Sequence, residues 1–220
     1  MKKIFAFILT LLMLLQLCAC AASEKGVEAS APAPEKSEKT ENVSESPEVS
    51  SSEMETSDTA NGTVVIYFSA TGTTKAVAEK IASVTGADLY EIVPVDIYTD
   101  EDLDWHDKNS RTTKEQNDPS ARPEIAGEMK DISDYDTVFI GYPIWWGEEP
   151  RIMDTFAESC DLEGKTVIPF CTSGGSGIGS SGKNLEELAG KGNWLNGRRL
   201  KSNASEPDIS EWLSELGLNR

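Results

Sequence analysis

The chain has 220 residues, with 38 acidic side chains against 20 basic ones, a formal net charge of −18 and a single histidine. That balance argues against a nucleic-acid ligand and against direct adhesion to anionic lipid, because both would meet like charge. One histidine, with no CxxC pair among the four cysteines, makes a Cys/His metal site improbable.

Met1 to Ala19 reads as a secretory signal: Lys2 and Lys3, the apolar run Ile4 to Leu15, then Leu17-Cys18-Ala19-Cys20. The run is too short for a permanent membrane span with these flanks. Leu-Cys-Ala-Cys resembles the bacterial lipobox, which implies cleavage before Cys20 and lipid attachment to its sulfur. Two or more acyl chains would hold the protein at the extracytoplasmic face of the bacterial cell membrane. Residues 21–62 are Ser, Glu, Pro, Ala and Thr with almost no aliphatic bulk, the composition of a disordered acidic linker. Its root-mean-square reach would be about 35 Å, so the domain would work above the bilayer while tied to it. Residues 63–220 suit one domain, and their own net charge of −13 means that the linker supplies only part of the acidity.

Within that domain, Thr63 to Phe68 is a continuous apolar run of the kind found in a strand covered on both faces. Ser69-Ala70-Thr71-Gly72-Thr73-Thr74 follows, and a helical stretch begins near Thr73, with Val77, Ala78, Ile81, Ala82 and Val84 on one face and Gly86 at its end. One hydroxyl suffices to cap a helix, and here four occur in six residues beside a glycine. Hydroxyls, close backbone approach and the free N–H groups of a helix start make a phosphate cradle. No Lys or Arg lies inside it, so dipoles alone would meet the charge.

Leu89 to Val93 supplies a second strand, ended by Pro94. From Val95 to about Asp136 the apolar periodicity fails, which predicts either a weak helix around Asn109 to Gln116 or a functional lid. In this segment Trp105 is expected to anchor the loop to the body and His106 to be a solvated surface imidazole. Thr137 to Gly141 is the third strand, followed by Tyr142-Pro143-Ile144-Trp145-Trp146-Gly147. Pro150 is placed for the first turn of a helix whose inner stripe is Ile152, Met153, Phe156, Ala157 and Cys160. Val167 to Phe170 is the fourth strand, its regularity lowered by Pro169. Then come the donor-rich Thr172-Ser173-Gly174-Gly175-Ser176-Gly177 and a short helix through Leu185 and Leu188, stopped by Gly190. Trp194-Leu195 and Arg199-Leu200 both compete for the fifth strand, with Asn196-Gly197 between them. A last helix, capped by Ser205 with Asp208 three residues on, turns Ile209, Trp212, Leu213 and Leu216 inward. Cys160 and Cys171 should fall at opposite ends of the sheet, too far apart for a disulfide.

Alternating strands and helices imply a doubly wound parallel α/β sheet, with ligands outside the carboxyl ends of its strands. Three loops leave those ends, offering donors for a phosphate, large π faces for a flat ring, and glycine backbone for that ring's polar edge. Ser-x-Thr-Gly-x-Thr after a first strand resembles the FMN-phosphate loop of the flavodoxin family. Gly-Tyr-Pro-Ile-Trp-Trp-Gly, Ser-Gly-Gly-Ser-Gly-Ile-Gly-Ser-Ser and the insertion from Leu103 to Pro123 resemble a bacterial flavodoxin-like subgroup. The resemblance implies a five-stranded sheet of order 2-1-3-4-5 with a long insertion after strand 2. It also implies that Ser69, Thr71, Gly72, Thr73 and Thr74 hold the FMN phosphate. Pro143, Trp145, Trp146 and Gly147 would flank the flavin, with the stacking Trp undecided, and Ser173, Gly174, Gly175 and Gly177 would line its pyrimidine side.

The expected function is electron transfer through FMN, with a redox partner protein or a small-molecule acceptor. An NAD(P)H-dependent quinone reductase and a non-redox lipoprotein that captures a phosphorylated ligand are the competing readings. Gly177-Ile178-Gly179-Ser180-Ser181-Gly182 matches G-x-G-x-x-G, but it follows the fourth strand, and no strand ending in Asp or Glu comes some twenty residues later. A Cys-based phosphatase would need an Arg where Cys171 leads to Gly177.

Overall fold

A computed structural model describes residues 62–218, so the expected signal, Cys20 and nearly all of the acidic linker lie outside the described residues. The elements are β1 (Gly62–Phe68), α1 (Thr73–Thr85), β2 (Asp88–Ile92), α2 (Arg111–Asn117), β3 (Tyr135–Pro143), α3 (Arg151–Ser159), β4 (Thr166–Thr172), α4 (Ser181–Ala189), β5 (Asn193–Trp194), β6 (Arg198–Arg199) and α5 (Glu206–Glu215). β1 opens at Gly62, one residue before the expected start of the domain. All strand pairings are parallel, in the order β2-β1-β3-β4-β5, with β6 also on β4.

Two cores follow from the alternation of side chains along each strand. Val64, Ile66 and Phe68 of β1, with Val138, Ile140 and Tyr142 of β3, face Ile152, Met153 and Phe156 of α3 and Leu185 of α4. Val65 and Tyr67, with Phe139 of β3 and Ile168 and Phe170 of β4, face Val77 and Ile81 of α1 and Ile209 and Trp212 of α5. A continuous apolar run is what a strand buried on both faces requires, and the expected inner faces of α1, α3 and α5 are the observed ones. Gly141 in β3 is forced by packing: a Cβ there would come within 2.1 Å of the Phe170 ring.

The fifth strand takes both candidate segments, as two short pieces. Leu195 N donates to Val167 O at 2.9 Å and Leu200 N to Cys171 O at 2.9 Å, so alternate residues of β4 present their backbone to this edge. Pro169 falls between them and has no N–H to give. Gly197 passes so close that a Cβ would lie 2.6 Å from Pro169 O, and the strand breaks there into β5 and β6.

Pro150 is the N-cap of α3, one position before the helix proper, where its ring costs no hydrogen bond. α5 carries the expected capping box between Ser205 and Asp208. Cys160 is the C-cap of α3 and Cys171 lies in β4; both are free thiols that burial pushes up, to about 11 and about 12. No helix among the described residues is long and apolar enough to cross a membrane.

The insertion contains α2, close to the expected weak helix and capped by Ser110, whose hydroxyl accepts from Thr113 N. Thr112 Oγ1 donates to Asp102 O at 2.6 Å, and Thr113 Oγ1 to Asp107 O at 2.9 Å. The Arg111 guanidinium lies 4.0 Å from the Tyr98 ring centroid and pairs with Glu115 at 2.7 Å. Tyr98 also donates to Glu115, and its burial with that bond pushes the phenol pKa up.

Candidate functional site

Three loops leave the carboxyl ends of β1, β3 and β4, and the structure joins them. Thr74 of the first and Thr172 at the end of β4 share a buried hydrogen bond of 2.9 Å. Thr71 lines one cavity with Ile144, Trp145 and Trp146 of the second loop. A Cβ on Gly179, in the turn after β4, would sit 3.4 Å from Gly147 O.

At the head of α1 the hydroxyls do not cap the helix. Gly72 is its N-cap, in the left-handed region at φ 80°, and no side chain caps it. The first N–H groups of a helix have no intrahelical acceptor, so this terminus has donors to spare. Thr71 and Thr73 share a 3.2 Å hydroxyl contact, and Ser69 Oγ is buried with no hydrogen-bond partner among the described residues. A buried orphan hydroxyl beside an uncapped helix start fits an anionic oxygen. Thr74 is spent on Thr172, which makes it a tie between loops; Ser69, Thr71 and Thr73 are the hydroxyls left for a ligand.

The second loop is a tight reversal. Trp145 N donates to Glu148 O at 2.9 Å and Glu148 N to Trp145 O at 3.0 Å, with Trp146 at φ 50° and Gly147 at φ 92° between them. Among the described residues Trp146 is the only non-glycine with positive φ. Such turns ordinarily use Asn or Gly, and a Trp held there stores strain of about 1 kcal/mol or more that packing must offset. The two indoles differ. Trp145 is half-buried, edge-on to Phe68 at 5.6 Å and to Tyr98 at 5.3 Å between centroids, whereas Trp146 is 46% exposed. Trp146 is thus the more exposed indole of the pair.

Gly174, Gly175 and Gly177 in the third loop have ordinary φ, and a Cβ at any of them would meet nothing within 4 Å. Neither turn geometry nor packing asks for glycine there, so the backbone of this loop is open to close approach. Ser173 Oγ is used within the loop, donating to Ser176 O. Pro143 ends β3 below the Trp turn.

Other supporting residues carry no sequence pattern. Gln116 Nε2 of α2 donates to Trp145 O at 3.2 Å and Glu149 O at 3.3 Å, clamping the Trp turn from the insertion. Arg199 of β6 donates to Ser173 O at 3.0 Å. Glu149 is 1% exposed and its carboxylate receives Asn184 Nδ2 at 3.2 Å on both oxygens. Burial, reinforced by the nearby Asp154 charge, pushes its pKa up to about 7. Trp105 corrects the expectation for the insertion: 67% exposed, it does not anchor the loop but lines the cavity beside Trp145 and Trp146. His106 is at the surface, as expected, its ring 3.4 Å from that of Trp105. Among the described residues no group of three or more His, Cys, Asp or Glu could hold a metal ion. A larger cavity, about 440 Å³, lies at the other pole, beside Thr63 and Thr137 near the starts of β1 and β3 and against α5. It touches none of the three loops.

The chain is similar to a protein from Bacteroides eggerthii described as a candidate flavoprotein, with 49% identity and a TM-score of 0.68 over 72% of this chain and 99% of that one. A second candidate flavoprotein, from Bacteroides uniformis, shows 45% identity and a TM-score of 0.67 over 70% and 98%. A Lactobacillus acidophilus flavoprotein in complex with FMN shares the fold at 24% identity and a TM-score of 0.55, over 69% and 98%. No curated protein matches the chain. The family model described as Flavodoxin matches residues 62–216, from the first residue of β1 to just past α5. With a sheet of order 2-1-3-4-5 and three loops meeting above it, the chain belongs to the flavodoxin family.

Proposed function

We propose that the protein binds FMN at the three loops and transfers electrons at the outer face of the cytoplasmic membrane, tethered through lipid on Cys20. The observation that carries the cofactor is the buried, unpartnered Ser69 Oγ at the uncapped head of α1. The FMN complex of the Lactobacillus acidophilus flavoprotein supports the same reading. Bound FMN supplies one- and two-electron chemistry.

The chain's own residues set where and how the flavin sits. Ser69, Thr71 and Thr73, with the free N–H groups of α1, hold the phosphate without a cation. Trp146 offers the stacking face, and Trp145, locked against Phe68 and Tyr98, fixes the turn that presents it. The backbone of Gly174, Gly175 and Gly177 meets the polar edge of the ring. A domain charge of −13 and an uncompensated phosphate disfavour added negative charge on the ring, so its reduction potential falls below that of free FMN. The donor or acceptor is a redox protein or a small molecule, and no nucleic acid takes part.

Titration of the full chain with FMN and with riboflavin tests this reading. FMN is expected to bind at least about a hundredfold more tightly, because only FMN brings charge-assisted hydrogen bonds to the cradle. Equal affinity would place the phosphate elsewhere, and no binding of either would end the flavin reading. A potential equal to that of free FMN would contradict the electrostatic part alone.

A further inference from the structure

Trp105 and Trp146, two of the few large apolar side chains left exposed among the described residues, lie at one cavity. It encloses about 320 Å³, and the rest of its lining is Thr71, Leu103, Thr112, Ile144 and Trp145. No residue of the glycine-rich loop lines it. The Trp turn thus has two sides, one toward Gly179 and the other toward the insertion. Exposure of Trp105 is built in rather than slack, because its loop is tied at Thr99 to Asp102, at His106 to Asp104, and at Thr112 and Thr113 to the carbonyls of Asp102 and Asp107.

We infer that this cavity is a second subsite, which takes a planar aromatic ligand of quinone type, uncharged or cationic, between Trp105 and the Trp turn. The inference rests on the FMN reading: with Thr71 and the glycine-loop side of Trp146 given to the flavin, the insertion side of the Trp turn, with Leu103 and Trp105, is left to another molecule. The volume is at the small end for ligand sites and suits two fused rings. Apart from the indole N–H groups, the side-chain hydroxyls of the lining are those of Thr71, paired with Thr73, and Thr112, donated to Asp102 O, so the lining holds no group that pairs a charge. The insertion beside it is acidic. Residues 100–107 hold five carboxylates and no Lys or Arg, and hydrogen bonds from Thr99 keep Asp102 below the usual carboxylate range. An anionic ligand, including the diphosphate of a nicotinamide dinucleotide, is repelled there.

The test is calorimetric titration of the full chain, loaded with FMN, using dimethylnaphthoquinone and a sulfonated naphthoquinone as probes. The neutral quinone is expected to bind, and the sulfonate about tenfold more weakly at low salt, with the gap closing as salt is added. Trp105→Ala is expected to weaken the neutral quinone by about tenfold through loss of one stacking face, while FMN affinity stays as in the unaltered chain. No quinone binding, or an unchanged quinone affinity in Trp105→Ala, overturns the inference. A parallel loss of FMN affinity also overturns it, because the cavity would then house the flavin's own ring. Failure of FMN to bind at all removes the cofactor reading instead, and the quinone titration of the same chain still decides the subsite.

Discussion

In the sheet, Val64, Val65, Ile66, Phe139, Ile140, Val167 and Ile168 are enclosed between two layers of helix, and the strand ladders satisfy their backbone. Between Val95 and Asp134 the only buried hydrophobic side chains are Tyr98 and Ile132, while Ser110, Thr112 and Thr113 are buried with their hydroxyls paired to neighbours. The first region is held by area removed from water, the second by short hydrogen bonds from side chain to backbone. Both reach the site: the sheet delivers the cradle and the glycine loop, and the insertion clamps the Trp turn through Gln116 and brings Trp105 to its cavity.

The sharpest way to break this comparison is in the core. Phe156→Ala opens a void under β3 and should lower stability by about 3–5 kcal/mol in denaturant titration. A loss below about 1 kcal/mol would mean that burial is not what holds the sheet.

Glu149 sits at the seam between the regions. Its pKa is raised in the folded state, from 4.5 to about 7, so the folded chain holds this proton more tightly than the unfolded one. Its contribution to stability is therefore full below about pH 4.5 and is lost as pH rises through 7. Glu149→Gln should be more stable than the parent by up to about 3 kcal/mol near pH 8, with the gain shrinking toward pH 5. A gain independent of pH would show that the carboxyl is already solvated.

Two smaller effects sharpen the contrast. Trp146→Gly relieves the left-handed strain and should leave stability unchanged or raise it by about 1 kcal/mol, while flavin affinity falls. Ser110→Ala removes the α2 cap at a cost of about 1 kcal/mol. Hydrogen exchange should then speed up within residues 99–117 and not in β1 or β3. Uniform acceleration would instead make the insertion part of one cooperative unit.

The same difference decides what could be read before folding. Apolar runs and helical stripes record burial, so β1, α1, β3, α3 and α5 were legible, as was the hydroxyl cluster at Ser69 to Thr74. The break at Pro169 and Gly197 was legible only as two rival segments, because the close backbone passage that splits the strand is a tertiary fact. The insertion hid its structure because Thr112, Thr113 and Gln116 act through hydrogen bonds to carbonyls distant in sequence, and no periodicity marks such partners. Trp105 is hidden for a related reason: an isolated Trp in a polar loop reads as an anchor, whereas the loop is anchored by the hydroxyls of its neighbours. The Trp pair stayed undivided until backbone and packing separated a locked Trp145 from a strained, open Trp146.

The most direct test of the account is the flavin fluorescence of the full chain on titration with FMN, compared with Trp146→Ala. One site per chain with strongly quenched emission, the quenching largely lost in Trp146→Ala while the phosphate cradle still binds FMN, is the predicted result. Unquenched emission in the parent chain, or quenching that survives Trp146→Ala unchanged, would contradict the claim that the three loops form one flavin site with the ring on Trp146.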